Sequence, residues 1–152
     1  MTTTIAYTDV AGLAGTDLGY TDWVEITQQQ VNTFADATGD HQWIHVDPER
    51  AAQSALGGAI AHGLFTLSLA PAMTAALLSF EGFAFALNYG YNRVRFPAPL
   101  PVGARVRMRA TLAHVEDIRG GAQITIVQTF EREGAEKPVC VAESLARVYV
   151  GE

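Results

Sequence analysis

Residues 63–80 read Gly-Leu-Phe-Thr-Leu-Ser-Leu-Ala-Pro-Ala-Met-Thr-Ala-Ala-Leu-Leu-Ser-Phe, a run that is apolar on nearly every face when wound as a helix. A surface helix keeps one polar side, so a helix without one must be surrounded. A core helix is expected here. A membrane span is the weaker reading, because the run sits at the short end of the roughly 20 residues a bilayer requires and contains Pro71 and several hydroxyls. Pro71 lacks the amide that would bond the Leu67 carbonyl, so the helix must bend or restart near it.

The material to surround it follows directly. After Gly82 the pattern turns to period two, most cleanly where Val106, Met108, Ala110 and Leu112 alternate with Arg105, Arg107, Arg109 and Thr111. Similar alternation runs through 83–96, 122–132 and 139–150, with turn signals at 117–121 and 133–136. These are hairpin-connected antiparallel strands, joined by a short strand at 23–26. The expected class is α+β, an antiparallel sheet wrapped around a central apolar helix. The 152 residues suit a single domain, with 1–19 as a lead-in segment. At 49% hydrophobic and 17% charged, the chain is too apolar to be disordered.

Charge narrows the partners. A net charge of −6 and a pI near 5.1 argue against extended contact with nucleic acid or an anionic membrane, since both need clustered cations. The lone cysteine, Cys140, lies in an alternating apolar run and is expected to be a buried, inert thiol. The amino-terminal residues lack the basic and apolar regions of a signal peptide, so a cytoplasmic location is expected.

Helix signals frame the candidate site. Thr27-Gln-Gln-Gln30 has the form of a capping box ahead of Val31, Phe34 and Ala35, and Gly39 stops that helix. Asp47 before Pro48 reads as the N-cap of a second short helix running toward Gln53. Between the two lies Gly39-Asp-His-Gln-Trp-Ile-His-Val-Asp47, read as an irregular stretch. Trp43, Ile44 and Val46 require part of it to be buried, which would draw Asp40 and His45 into a site of reduced dielectric. A carboxylate and an imidazole there can hold one water between them; serving as loop caps and turn makers is the alternative. At the head of the core helix, free backbone amides at Gly63 could hold an oxyanion or merely permit a tight entry. His62 beside it reads as a packed or capping histidine. A serine hydrolase lacks its nucleophile elbow around Ser54 or Ser68. A metal set drawn from His41, His45, Asp47 and His62 lacks an aligning helix, and no phosphate loop or dinucleotide fingerprint occurs.

The stretch Phe34-Ala-Asp-Ala-Thr-Gly-Asp40-His-Gln-Trp-Ile-His45-Val-Asp-Pro-Glu-Arg50, followed by Ala61-His-Gly-Leu-Phe-Thr-Leu-Ser68, closely resembles the hydratase motif of MaoC-like dehydratases. These are hot-dog-fold, (R)-specific enoyl-CoA hydratases. The likeness continues through 88–103 to Cys140-Val-Ala-Glu-Ser144 and covers the chain from about residue 20. It implies a single hot-dog domain, with Asp40 and His45 as the catalytic pair and the Gly63 amide as oxyanion hole. Ser68 matches a position that supports the catalytic site in some members. Many members have Asn-Pro where this chain has Gln42-Trp43. That variant resembles the nodulation-protein-N branch, and it implies that Trp43 shapes the acyl channel.

The resemblance also implies water addition across a trans-2-enoyl thioester to an (R)-3-hydroxyacyl product. No metal, flavin or nicotinamide is called for; coenzyme A enters only as part of the substrate. Its phosphates need local cations, for which Arg93 and Arg95 are candidates alongside the plainer reading of a solvated strand face. A homodimer paired sheet edge to sheet edge is expected, which would also cover an unpaired edge. A hot-dog thioesterase and a non-catalytic acyl-CoA or lipid-binding module are the rival readings.

Overall fold

The computed structural model describes residues 1–151. In chain order it runs β1 (Thr3–Ala6), a 3-10 turn (Tyr7–Leu13), β2 (Thr16–Tyr20), β3 (Val24–Glu25), α1 (Gln28–Thr38), α2 (Trp43–Val46), α3 (Pro48–Ala52) and α4 (Gly63–Ser68). Then come α5 (Ala70–Leu77), β4 (Leu78–Glu81), β5 (Phe85–Arg95), β6 (Arg105–Ile118), β7 (Gly121–Arg132) and β8 (Cys140–Tyr149). The five long strands form one antiparallel sheet in the order β2-β6-β7-β8-β5, with β3 also paired to β6. A separate two-stranded piece pairs β1 with β4 in parallel.

The alternation in β6 sets the two faces of that sheet. Val106, Met108, Ala110 and Leu112 are fully buried, and they meet Ile124, Ile126 and Phe130 of β7 and Ala142 and Val148 of β8 in one core. The intervening arginines lie on the outer face. Arg105 pairs with Glu133, Arg107 with Glu131 and Arg109 with Asp17, at 2.7–2.9 Å. Such exposed pairs are worth about 0–1 kcal/mol each, so the buried face holds the sheet together. Cys140 is fully buried there, and burial pushes its thiol up to about 11, leaving it protonated and inert at neutral pH.

The core helix restarts at Ala70, as expected near Pro71, which sits in the first turn of α5 where a missing amide costs nothing. It differs from its expected 63–80 span in two ways. It ends at Leu77, and the next four residues extend into β4 against β1. Because a run apolar at every position carries no helical period, its sequence cannot mark where helix gives way to strand. Finally, the sheet covers only one side of it. Phe65, Ala70, Met73 and Leu77 enter the core, whereas Leu64, Ser68, Pro71, Ala72, Ala75 and Ala76 remain exposed.

The caps form as their residues dictate. Thr27 and Gln30 bond reciprocally at 3.2 and 2.9 Å, and Gly39 ends α1 with φ 81°. The Arg50 amide donates to Asp47 at 3.0 Å, starting α3. The short strand expected at 23–26 is the two-residue β3. Ahead of it, Ile5, Val10 and Leu18 from the first twenty residues reach the core.

Phe130 has the largest fully buried side chain, and its replacement by alanine is expected to cost about 3–5 kcal/mol. For a domain of this size that lowers the melting temperature by roughly 6–20 °C. Calorimetry of Phe130→Ala checks this, and an unshifted transition would contradict the core described here.

Candidate active site

The loop after α1 is short because Gly39 reverses it in the left-handed region, its amide bonded to the Ala35 carbonyl at 2.8 Å. Three residues later the chain makes one helical turn, α2, where an irregular stretch was expected. The His45 amide bonds to Gln42 and the Asp47 amide to Trp43, both at 3.0 Å. This turn carries His45 inward, 7% exposed, while Asp40 stays on the rim with its side chain 54% exposed. Burial therefore draws in the imidazole and leaves the carboxylate in contact with solvent.

His45 is fixed from two directions. Its carbonyl accepts from the Gln28 side-chain amide at 2.7 Å, and its ring Nδ1 lies 2.7 Å from the Ile60 carbonyl. A carbonyl only accepts, so Nδ1 carries the proton and Nε2 is left as the free base. His62 stacks on it with centroids 3.8 Å apart and planes 25° from parallel. By the same logic the His62 Nε2–H donates to the Asp40 main-chain carbonyl at 2.9 Å. Its Nδ1 is buried without a partner. The packed role expected for His62 is thus what the geometry shows, and it ties down the residue expected to work with His45.

A carboxylate oxygen of Asp40 and a ring nitrogen from each histidine lie within 4.8 Å of one another. Asp40 and His45 are not directly bonded; a gap of that order accommodates one water at about 2.8 Å from each side. The same trio raises the question of a cation. Its spacing could hold a cation as well as a water. His41 and Asp47 do not join it: His41 pairs with Asp36 at 2.8 Å, and Asp47 caps α3.

Gly63 opens α4 directly after His62. A methyl group there would lie 2.9–3.0 Å from the Phe96 ring, so this glycine is required by a close approach. Two cavities meet at this point, and His45 and Gly63 line both. One, about 310 Å³, is bordered by Asp40, Thr38 and Phe34. The inner one toward the helix stripe, about 280 Å³, is bordered by Thr66, Leu100 and Val139 and opens at Phe96 and Pro99. A larger open groove of about 490 Å³ follows α1 but has no ionisable lining.

The remaining candidates lie elsewhere within one chain. Trp43 lines neither cavity and is held under the Arg50 guanidinium at 4.4 Å. Ser68 is exposed and its hydroxyl donates to the Leu64 carbonyl at 2.6 Å. Arg93 and Arg95 are exposed on β5 opposite Glu143 and Val141, on the convex face away from the helix. Conversely, Gln28, Ile60 and Phe96 shape the site without having been singled out. Of these, only Phe96, an aromatic ahead of a proline turn, had a local signal.

Residues 9–133 match the family model described as a MaoC like domain. The chain is 56% identical to 3-hydroxyacyl-thioester dehydratase Z of Mycobacterium tuberculosis (strain ATCC 25618 / H37Rv), over 91% of this chain and 93% of that protein. It is 43% identical to Nodulation protein N of Rhizobium meliloti (strain 1021), over 93% and 90%. Its fold matches that of the (R)-hydratase from A. caviae involved in PHA biosynthesis, with a TM-score of 0.73 at 20% identity, covering 91% and 96%. The fold is the hot-dog fold.

Replacing His62 with phenylalanine keeps an aromatic ring against His45 and Phe34 but removes the donor to Asp40. The stranded carbonyl is expected to cost about 1–3 kcal/mol and to speed amide exchange in residues 40–42. Hydrogen–deuterium exchange measures this, and unchanged protection would show that the bond does not hold the loop.

Proposed function

The chain belongs to the MaoC-like family and is an enzyme of the hydratase and dehydratase kind; on that premise we propose that it is an (R)-specific enoyl-CoA hydratase. The proposal rests above all on His45, whose Nδ1–H is held by Ile60, leaving Nε2 unengaged in a ring with one nitrogen within 4.8 Å of an Asp40 carboxylate oxygen. In our reading a water between them adds its oxygen to C3 of a trans-2-enoyl thioester. The dyad takes the water's proton and passes it to C2 on the same face, so the addition is syn. Meanwhile negative charge collects on the thioester oxygen, where the Gly63 amide donates to it. The reverse sequence is dehydration. The chemistry calls for no metal, flavin or nicotinamide.

The carrier we assign is coenzyme A, with Arg93 and Arg95 the cations on the open edge strand available to its phosphates. We further propose that the working unit is a homodimer. Along β5, Phe85, Leu87 and Tyr89 are 53–56% exposed, and beside this open edge runs the uncovered apolar side of α4 and α5. A second copy pairing edge to edge would cover both features, which are otherwise an aggregation hazard. No helix among the described residues is long and apolar enough to cross a membrane, and we place the enzyme in the cytoplasm.

Crotonyl-CoA is the direct test. Loss of the enoyl absorbance without free thiol is expected; thiol release would identify a thioesterase, and binding without turnover a carrier module. Asp40→Asn and His45→Gln should each lower kcat by about 10²–10⁴-fold. Gly63→Ala keeps the amide but drives a methyl into Phe96, and by displacing that amide should lower kcat as well, up to the loss of about 10²–10³-fold that follows when such a donor is removed. Sedimentation equilibrium should give twice 16.3 kDa; a fully active species of that single mass would overturn the dimer.

A further inference from the structure

We propose that the acyl group this enzyme prefers carries a hydroxyl far from the reacting carbons, and that Gln128 and Thr74 read it in a second cavity. The inference rests on the hydratase reading and names the substrate class within it.

The observation behind it is a polar side chain where the fold has no use for one. Gln128 lies on the inner face of β7, between Ile126 and Phe130, and is 3% exposed. Its Nε2 donates to the Thr74 hydroxyl at 3.0 Å, but its Oε1 is buried with no partner. An orphaned buried acceptor is a standing cost that a leucine would avoid. Both residues line a cavity of about 300 Å³ between α5 and strands β5, β7 and β8. The Ser144 hydroxyl, also in its wall, already donates to the Ile126 carbonyl at 3.2 Å, so it cannot also supply Gln128.

The cavity shares no wall residue with the site at His45 but lies further along the same helix and strands. On the helix, Gly63 and Thr66 line the inner active-site cavity, and Ala70 and Thr74, further along the same stripe, line the second. On the sheet, Phe96 and Val139 border the first, and Tyr91 and Ser144, paired across β5 and β8, border the second. Three elements thus pass from one cavity to the other in step. Eleven residues of helix cover about 16 Å; an extended chain with C–C bonds of about 1.5 Å advances about 1.3 Å per bond in its zig-zag and spans that in roughly 13 carbons. A thioester seated at Gly63 would place that part of its tail beside Gln128.

A hydroxyl is the group that suits either setting of the amide. If Oε1 is free the hydroxyl donates to it; if the amide is turned, so that Oε1 accepts from Thr74, the hydroxyl accepts from Nε2. An alkyl tail packed against it leaves the unpaired amide atom unsatisfied, whereas a hydroxyl that draws it into the cavity supplies the missing bond.

The test uses trans-2-enoyl-CoA substrates of about 12 carbons, one ending in plain alkyl and others with a hydroxyl stepped along the distal carbons. For the wild-type enzyme, kcat/KM for the best hydroxylated substrate should exceed that for the alkyl one by about 10–100-fold, mostly through KM. In Gln128→Leu the ratio should collapse toward one, and likewise in Thr74→Val, which serves if the first variant folds poorly. The ratio within each variant is independent of its active fraction. A wild-type ratio near one, or a ratio untouched by both substitutions, overturns the proposal. Wild-type turnover of crotonyl-CoA, too short to reach Gln128, reports the hydratase reading separately, and its absence together with that of the long alkyl substrate would overturn both.

Discussion

A helix with no polar side gains by burying whatever face it can, and the arrangement of this protein follows from how the sheet covers one side of that helix. The sheet curls over it from β2 to β5 and buries Phe65, Ala70, Met73 and Leu77. Once the helix is seated, its amino end has one place to be, beneath Phe96 and beside Ile60, whose carbonyl holds His45. The residues we propose for catalysis are therefore located by a packing requirement that has nothing to do with catalysis. What the helix contributes chemically is small: one glycine, a few free amides and a histidine that stacks.

Two adjacent histidines show how little of their role lies in residue type. His45 and His62 are both buried, stacked face to face, and each gives one N–H to a main-chain carbonyl. The difference is which nitrogen is engaged. His45 uses Nδ1 and keeps Nε2 beside the cavity, whereas His62 spends Nε2 on Asp40 and buries Nδ1. One is left able to exchange a proton with a bound molecule, and the other becomes a strut for the carboxylate's loop. Their tautomers are set by Ile60 and by the backbone of Asp40, neither of which depends on its side chain for the task.

That dependence explains what could be read in the sequence. Capping at Thr27 and Asp47, the alternation of 105–112 and the apolar run from Gly63 are signals borne by side chains acting locally, and each corresponds to an observed element. The closeness of Asp40 and His45 was carried by a motif and not by spacing, since five residues can extend over about 17 Å; the turn of α2 is what brings them together. Contacts made by main-chain carbonyls or by residues distant in sequence left no mark. Gln28 reaching the His45 carbonyl is one such case and Phe96 lying over Gly63 another. Trp43, Ser68, Arg93 and Arg95 show the reverse: residue types suited to a substrate, on faces that only the finished fold assigns. The bulges in β5 near Asn88 and Tyr91 reset which side chains face inward, and a strict alternation would have placed them wrongly.

Strand β5 links the parts that a single chain leaves incomplete. Its inner face walls the second cavity through Asn88 and Tyr91, its free edge is unpaired, and beside it the helix keeps its uncovered side. In the dimer we propose, a strand paired with that edge would brace the cavity wall and keep water from it. Within that cavity the unpartnered amide of Gln128 gains in weight as water is excluded, because an unmet hydrogen bond costs more in a drier, lower-dielectric site. Dimerisation and discrimination among acyl tails would then be one effect: closing the edge makes the protein's own polar defect selective.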